Sequence, residues 1–162
     1  MGHSYIGMEF KDIVAEEYRK IQDEICLSLE SADGKSKFVE ELWKRGGVGG
    51  GRTRGIQNGD DIEKGGGNFS AVHGILPDSV KKAFKVDSDE FFATGVSIII
   101  HPFNPFVPII HMNIRYFEMD EHTRWFGGGI DLTPHYVVDT DARYFHHLLK
   151  QTCDRFDQSF YS

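Results

Sequence analysis

The chain has 162 residues, of which 40% are hydrophobic and 27% charged, a composition typical of one globular domain spanning residues 1–162. The net charge of -7 argues against broad nucleic-acid binding, because no basic stripe offsets the acidic residues. No apolar run reaches the length of a membrane-spanning helix, which argues against membrane insertion.

The cysteines and the first ten residues indicate the compartment. Cys26 and Cys153 show neither a metal-binding spacing nor a disulfide framework, which favours a reducing compartment. The first ten residues lack the basic segment and the apolar segment of a secretory signal. We therefore expect a cytoplasmic protein.

The N-terminal part of the sequence predicts two helices. Apolar residues recur at helical spacing from Met8 to Leu29, and Gly34 is well placed to end that helix. A second, shorter helical segment is expected over residues 38–44.

A glycine-rich hairpin is predicted next. Asn58-Gly59 is a strong signal for a two-residue turn, so residues 53–56 are expected to pair with residues 61–63. The three glycines 65–67 are expected to end this strand, and Asn68 to begin another.

The middle of the chain predicts a short helix and a buried strand. Pro77 is expected to open the helix, which runs through Phe84. Residues 94–100 are rich in β-branched side chains and predict a central strand. The proline-rich residues 101–108 then form a turn or an irregular crossing.

The sequence ends in a further predicted helix. Asp139 or Thr140 is expected to cap it, and it runs towards Phe160. Its inward-facing residues are predicted to be Phe145, Leu148, Leu149 and Phe156. The order of elements favours an α+β fold built on a largely antiparallel sheet.

Between these elements, residues 109–131 predict a β-hairpin with one polar face. Side chains alternate along residues 109–117, so that His111, Asn113 and Arg115 share a face. With residues 119–123 as the loop, a turn centred on Glu121 gives three facing pairs, which are Arg115 with Gly127, Asn113 with Gly129, and His111 with Asp131. A slip of one residue would separate His111 from Asp131.

This register would form a polar site. It places the His111 imidazole beside the Asp131 carboxylate. Residues Gly127, Gly128 and Gly129 would leave bare backbone for a flat ligand, although they could instead form a bulge. Asp131 could alternatively cap a turn at Thr133-Pro134.

Three arginines are candidates for binding an acidic ligand. A guanidinium binds a carboxylate through two parallel hydrogen bonds, which suits Arg115. Arg52 and Arg54 lie two residues apart and would share a face in a strand, where they could be further carboxylate clamps or residues of a solvated strand edge. Ser97 lies between apolar neighbours and by sequence alone is a core hydroxyl.

Four blocks in a fixed order resemble the oxygen-dependent coproporphyrinogen III oxidases. They are LWKRGGVGGGRTRGIQNGDDIEKGGGNFSAVHG from Leu42, GVSIIIHPFNPFVPIIHMNIRYFE from Gly95, WFGGGIDLTPHY from Trp125 and DARYFHHLLKQTCD from Asp141. The resemblance implies a large, flat antiparallel sheet with helices on both faces, and a homodimer. It also implies conversion of two propionates of coproporphyrinogen III into vinyl groups, with O2 as co-substrate, giving protoporphyrinogen IX in heme biosynthesis.

The resemblance assigns roles to individual residues. His111 takes the place of the catalytic histidine, and Asp131 that of the carboxylate facing the pyrrole nitrogens. The substrate-binding places fall to Ser97, Asn113, Ile114 and Arg115.

No cofactor is implied as a requirement. His101, His111 and His146 match positions linked to a divalent cation in some bacterial members of the family, and metal binding at these residues is the less favoured alternative.

The chain also departs from the family. The family's sequence continues past Ser162, so the chain resembles an N-terminal portion. Arg124 stands where the family often has a second tryptophan, and Gly67 where it often has valine. Two rival functions follow, a tetrapyrrole-binding protein without turnover and an inactive structural fragment that associates through its sheet edge.

Overall fold

The computed structural model describes Tyr5 and residues 7–161. The helices and strands, in chain order, are α1 Phe10–Asp33, β1 Val39–Arg45, β2 Gly49–Gln57, β3 Ile62–Ile75, α2 Asp78–Phe84, β4 Glu90–Pro102, β5 Ile109–Glu118, β6 Arg124–Thr133 and α3 Asp139–Asp154, followed by a 3₁₀ helix, Gln158–Phe160. Half of the ten-residue segment in which a secretory signal was sought, residues 1–4 and Ile6, lies outside the described residues. Within the described part of the chain, no helix is both long and apolar enough to cross a membrane.

Each strand pairs antiparallel with the next strand in the sequence. The six strands therefore form one sheet in the order β1-β2-β3-β4-β5-β6. The predicted α+β fold with an antiparallel sheet is confirmed. Successive residues of each strand face opposite sides of the sheet, so alternate residues share a face.

The two faces of the sheet differ in character. The closed face is the one that α1 covers, and it holds the main apolar core, formed by Val14, Tyr18, Ile56, Ile62, Phe69, Phe92, Val96, Ile98, Ile100 and Tyr116. The open face is the other one, and it carries Asn68, Ser97 and Asn113, which are half-buried or exposed. Burial of apolar area, the main stabilising term in folding, is thus concentrated on one side of the sheet.

Helix α1 is fastened to the sheet by a buried glutamine. Gln22 has no exposed surface, and its amide donates to the carbonyl oxygens of Gly67 at 2.7 Å and Arg52 at 2.9 Å. A buried amide must find such partners, since leaving it unpaired costs about 1–3 kcal/mol. Gln22 therefore fixes the helix across β2 and β3.

The C-terminus of α1 is tied to the turn between β2 and β3. The Asp33 carboxylate accepts hydrogen bonds from the backbone N–H groups of Ser36, Ile62 and Asp61, and these bonds hold its pKa well below the usual range. Gly34 then ends the helix with φ of 77°, as the sequence predicted, although the helix continues to Asp33 rather than Leu29.

The prediction of a helix over residues 38–44 is wrong, because this segment forms strand β1. The apolar residues Phe38 and Leu42 lie four apart, which fits a helix, but the segment pairs with β2 along its length. Its exposed residues lie on both faces of the sheet, so the strand shows no alternation of apolar and polar side chains.

The predicted strand break at residues 65–67 is also wrong. Strand β3 runs through all three glycines, and residues 53–56 pair with residues 65–68 rather than with 61–63. A Cβ at Gly65 would lie 2.6 Å from Cδ1 of Ile100. At Gly67, a Cβ would meet Sγ of Cys26 on α1 at 3.1 Å. These glycines keep the strand intact while letting its neighbours approach closely.

The two remaining helices differ in how well they match expectation. Pro77 directly precedes α2, which ends at Phe84 as predicted. Helix α3 begins at Asp139 with Val138 at the cap position, and its Phe145 and Leu149 are half-buried. Leu148 and the following Phe156 were expected to face inward but are exposed, because α3 packs mainly against the short 3₁₀ helix and not across the sheet.

Candidate functional site

The hairpin formed by β5 and β6 has the register that the sequence predicted. His111 faces Asp131, Asn113 faces Gly129, and Arg115 faces Gly127, with no register shift between the strands. The three glycines therefore form a regular strand and not a bulge. Their open-face members, Gly127 and Gly129, leave bare backbone beside the polar residues of β5.

His111 and Asp131 are in direct contact. His111 Nδ1 lies 2.9 Å from Asp131 Oδ1, and the hydroxyl of Thr133 donates to the same oxygen at 3.1 Å. The hydrogen bond with His111 is the main cause that lowers the pKa of Asp131. Both side chains are well exposed, so a ligand on the open face can reach them.

A row of polar side chains crosses the open face. Its members face one another on successive strands and are Glu41, Thr53, Asn68, Ser97, Asn113 and, at the end, the backbone of Gly129. With strands about 4.8 Å apart, this polar row is about 24 Å long. Ser97 thus lies on the open face and not in the core, where sequence alone had assigned it.

A groove of about 700 Å³ lies over the part of the open face that β3, β4, β5 and β6 form. It brings together most of the predicted substrate-binding residues, which are Ser97, Asn113, Arg115, Gly127, Gly128 and Gly129. Ile114 is not among them, because its side chain faces the closed side and packs against the core.

Arg115 is exposed and forms no ion pair with any residue that the structure describes. Its side chain leans towards β4, since a Cβ placed on Gly95 would lie 3.2 Å from its Cγ. A cation in this position is ready to bind a carboxylate from a ligand.

Arg52 and Arg54 are not part of this groove. Both lie on the closed face at its rim, because they share a side of the sheet with Phe69 and Gly67. Each contacts Asp23 of α1, at 2.8 Å and 2.7 Å, and Arg54 also pairs with Glu40 at 2.7 Å. The alternative reading, in which the two arginines are solvated residues at a strand edge, does not hold. Both arginines instead link α1 to the first two strands through ion pairs.

The three histidines of the metal alternative do not come together. The rings of His101 and His111 are neighbours, 6.4 Å between centroids, but His146 lies on α3 and contacts the Tyr161 hydroxyl at 2.8 Å. Across Tyr5 and residues 7–161, no group of three or more potential metal ligands is found.

Sequence reasoning missed an aromatic stack at one end of the groove. Phe117 stacks on Trp125 at 4.9 Å and on Phe91 at 5.1 Å, and Phe84 of α2 covers Trp125 at 5.7 Å. The signal was present, because Phe117 and Trp125 continue the alternation that places Arg115 and Gly127 on the open face.

Comparison with known proteins agrees with the sequence blocks. A family model described as coproporphyrinogen III oxidase matches residues 13–162. The chain is 44% identical over 158 residues to the oxygen-dependent coproporphyrinogen-III oxidase, chloroplastic, of Glycine max, and 43% identical over 158 residues to coproporphyrinogen-III oxidase 1, chloroplastic, of Arabidopsis thaliana. It is 45% identical over 144 residues to the oxygen-dependent coproporphyrinogen-III oxidase of Prochlorococcus marinus (strain NATL1A). Each comparison covers 88% of this chain but only 41% of the relative.

Proposed function

The chain belongs to the coproporphyrinogen III oxidase family, and from this premise we propose that it acts in the oxygen-dependent oxidative decarboxylation of coproporphyrinogen III. In this reaction two propionates become vinyl groups, and the product is protoporphyrinogen IX of heme biosynthesis. The observation that carries the proposal is the His111–Asp131 pair beside a groove that also holds Arg115, for which the described residues provide no ion-pair partner. Because the chain spans about two fifths of the length of the curated relatives it matches, the complete activity is part of the proposal.

The chemistry of the reaction needs three kinds of group. For each propionate, the bond to the carboxylate breaks and CO2 leaves, while the electron pair of that bond forms the C=C bond. The carbon attached to the pyrrole loses a proton and two electrons, and these electrons reduce O2 to hydrogen peroxide with uptake of two protons. A protein site must therefore hold the carboxylates, stabilise positive charge on the pyrrole and handle a proton.

The open face carries a residue suited to each need, because Arg115 lines the groove and the His111–Asp131 pair lies beside it. The Arg115 guanidinium can hold a propionate through paired hydrogen bonds. The Asp131 carboxylate, whose pKa is lowered chiefly by its hydrogen bond with His111, can accept hydrogen bonds from pyrrole N–H groups and stabilise the charge that develops there. Since Nδ1 of His111 faces Asp131, Nε2 is the ring nitrogen that can exchange a proton with the substrate.

The test is incubation of the chain with coproporphyrinogen III in air and under argon, with products followed by chromatography. We expect vinyl product in air only, and no product from Asp131→Ala with its fold intact. Binding without product would instead support a tetrapyrrole-binding protein. Absence of binding would overturn the proposal and support the inactive fragment.

The partners and the compartment are part of the same proposal. We expect a homodimer, which light scattering of the purified chain would test. We expect no required cofactor, so treatment with a chelator should leave activity unchanged. A cytoplasmic location is favoured by the two free cysteines, although the plant relatives are named chloroplastic.

A further inference from the structure

We propose that the substrate site extends from β5 across β4 onto β3, where Asn68 and Ser70 bind a second acidic group of the same tetrapyrrole. The inference rests on the proposed function and adds to it. Neither residue belongs to the set that the sequence analysis assigned to the substrate.

The register of the sheet places both residues in the groove. Asn68 faces Ser97, which faces Asn113, so these three polar side chains lie side by side on β3, β4 and β5. With strands about 4.8 Å apart, Asn68 lies about 10 Å from Asn113. Asn68 and Ser70 both line the groove that holds Arg115.

The path from Arg115 to Ser70 is clear of other side chains. Ser70 faces Gly95, and Gly95 faces Arg115, so the residue between them has no side chain. The first part of the Arg115 side chain already leans over Gly95, with its Cγ 3.2 Å from the position of a Cβ there. One ligand can therefore contact Arg115 and Ser70 together.

The polar side chains along this path lack partners. Among the described residues, none forms a hydrogen bond with the side chains of Asn68, Ser70, Ser97 or Asn113. On the closed face of the same strands, by contrast, a polar side chain forms a hydrogen bond within the protein. The hydroxyl of buried Thr94 donates to the backbone oxygen of Ser70 at 2.8 Å. The open-face residues keep their donors for a ligand.

The chemistry of these residues selects the kind of group bound. An amide and a hydroxyl are uncharged donors, so they can hold a carboxylate by hydrogen bonds without neutralising it. Coproporphyrinogen III carries four propionates around its ring, and two do not react. A non-reacting propionate held at β3 would fix the orientation of the ring, and its binding energy would position the reacting propionate near His111 and Asp131.

The experiment measures binding of coproporphyrinogen III under argon by equilibrium dialysis. We expect Asn68→Ala and Ser70→Ala each to weaken binding about ten- to hundredfold, the range of one lost hydrogen bond to a charged group. Asn68→Asp, which brings a like charge, should weaken it further. Gln57→Glu is the matched control, because it adds the same charge to the open face outside the groove and should leave affinity unchanged.

A second ligand separates a binding role from a structural one. Protoporphyrinogen IX has only two carboxylates, and both are the non-reacting propionates. If β3 holds one of these, the Asn68 variants should weaken its binding by the same factor as that of coproporphyrinogen III. Loss of binding to coproporphyrinogen III alone would mean that β3 contacts a reacting propionate, which overturns the positioning role proposed here.

The remaining outcomes distinguish the two proposals. Wild-type affinity in Asn68→Ala, Asn68→Asp and Ser70→Ala, together with weakened binding in Arg115→Ala, would overturn this inference and leave the proposed function standing. No binding by the wild-type chain would overturn the proposed function and this inference with it. Urea unfolding of each variant checks that affinity is compared between folded proteins.

Discussion

Arg54 and Arg115 lie on opposite faces of one sheet and have different surroundings. Arg54, on the closed face, forms ion pairs with Asp23 and Glu40 at 2.7 Å. Arg115, on the open face, forms none with any part of the chain that the structure describes. Both sit in glycine-rich sequence or face glycines, so the sequence gives them similar contexts. The comparison shows that the acidic neighbours on each face, here Asp23 of α1 and Glu40 of β1, decide which arginine supports the fold and which is available to a ligand.

The largest expected difference between the two faces is in the free energy of unfolding, and it compares substitutions at two adjacent residues of β3. Phe69 is 2% exposed in the closed-face core, so Phe69→Ala should lower the free energy of unfolding by about 3–5 kcal/mol. Asn68, one residue earlier, faces the open side, and Asn68→Ala should change the free energy of unfolding by less than about 0.5 kcal/mol. Urea unfolding followed by circular dichroism measures both. Equal losses would mean that the two faces do not differ as described.

The two arginines provide a second, smaller contrast. Arg115→Ala should weaken binding of coproporphyrinogen III by about 1.5–3 kcal/mol, the contribution of a hydrogen bond to a charged group, while stability stays nearly constant. Arg54→Ala should reverse this pattern, with lower stability and unchanged affinity, because its partners lie on α1 and β1. Unfolding and dialysis measurements on both variants test this contrast. If Arg54→Ala weakened binding as much as Arg115→Ala, the assignment of Arg54 to the fold and Arg115 to the ligand would be contradicted.

The smallest expected effect is a shift in the titration of Asp131. Its pKa in the folded protein is below the ordinary aspartate value of 3.8, chiefly because of the hydrogen bond with His111. The stabilisation from this pair is therefore complete above pH 3.8 and is lost as the pH falls through the lower folded-state value. Carbon NMR of the carboxyl group should show the midpoint rising towards 3.8 in His111→Ala. An unchanged midpoint would mean that His111 does not hold the carboxylate.

The part of the site that sequence predicted correctly is the part that local rules determine. The loop at residues 119–123 and the alternation beside it fix how His111 meets Asp131, so the register followed from the sequence and is confirmed. The face on which Arg52 lies could not be predicted in this way. It depends on where the strands on either side of Asn58-Gly59 begin and end.

The errors in the fold have a tertiary cause. The glycines 65–67 weaken a strand when considered alone, yet they stay in β3, where Ile100 packs directly against Gly65 and Cys26 of α1 against Gly67. Strand β1 lacks an alternating pattern because residues on both its faces are exposed. The predicted strand break at residues 65–67 also explains why Asn68 and Ser70 were missed as binding residues. The face on which they lie is defined only when the whole of β3 is one strand.

The simple order of the sheet affects how the chain folds. Each of the five strand pairings joins neighbours in the sequence, so each strand meets its partner after closure of one loop or, between β3 and β4, of the segment that contains α2. During synthesis the sheet can therefore grow one hairpin at a time. Helix α1 precedes the strands in the sequence but packs on β3 and β4. The side chain of Gln22 can form its hydrogen bond with the carbonyl oxygen of Gly67 only after β3 has been synthesised. We expect α1 to dock late in folding, so the apolar residues of its inner side stay accessible to chaperones until β4 is complete.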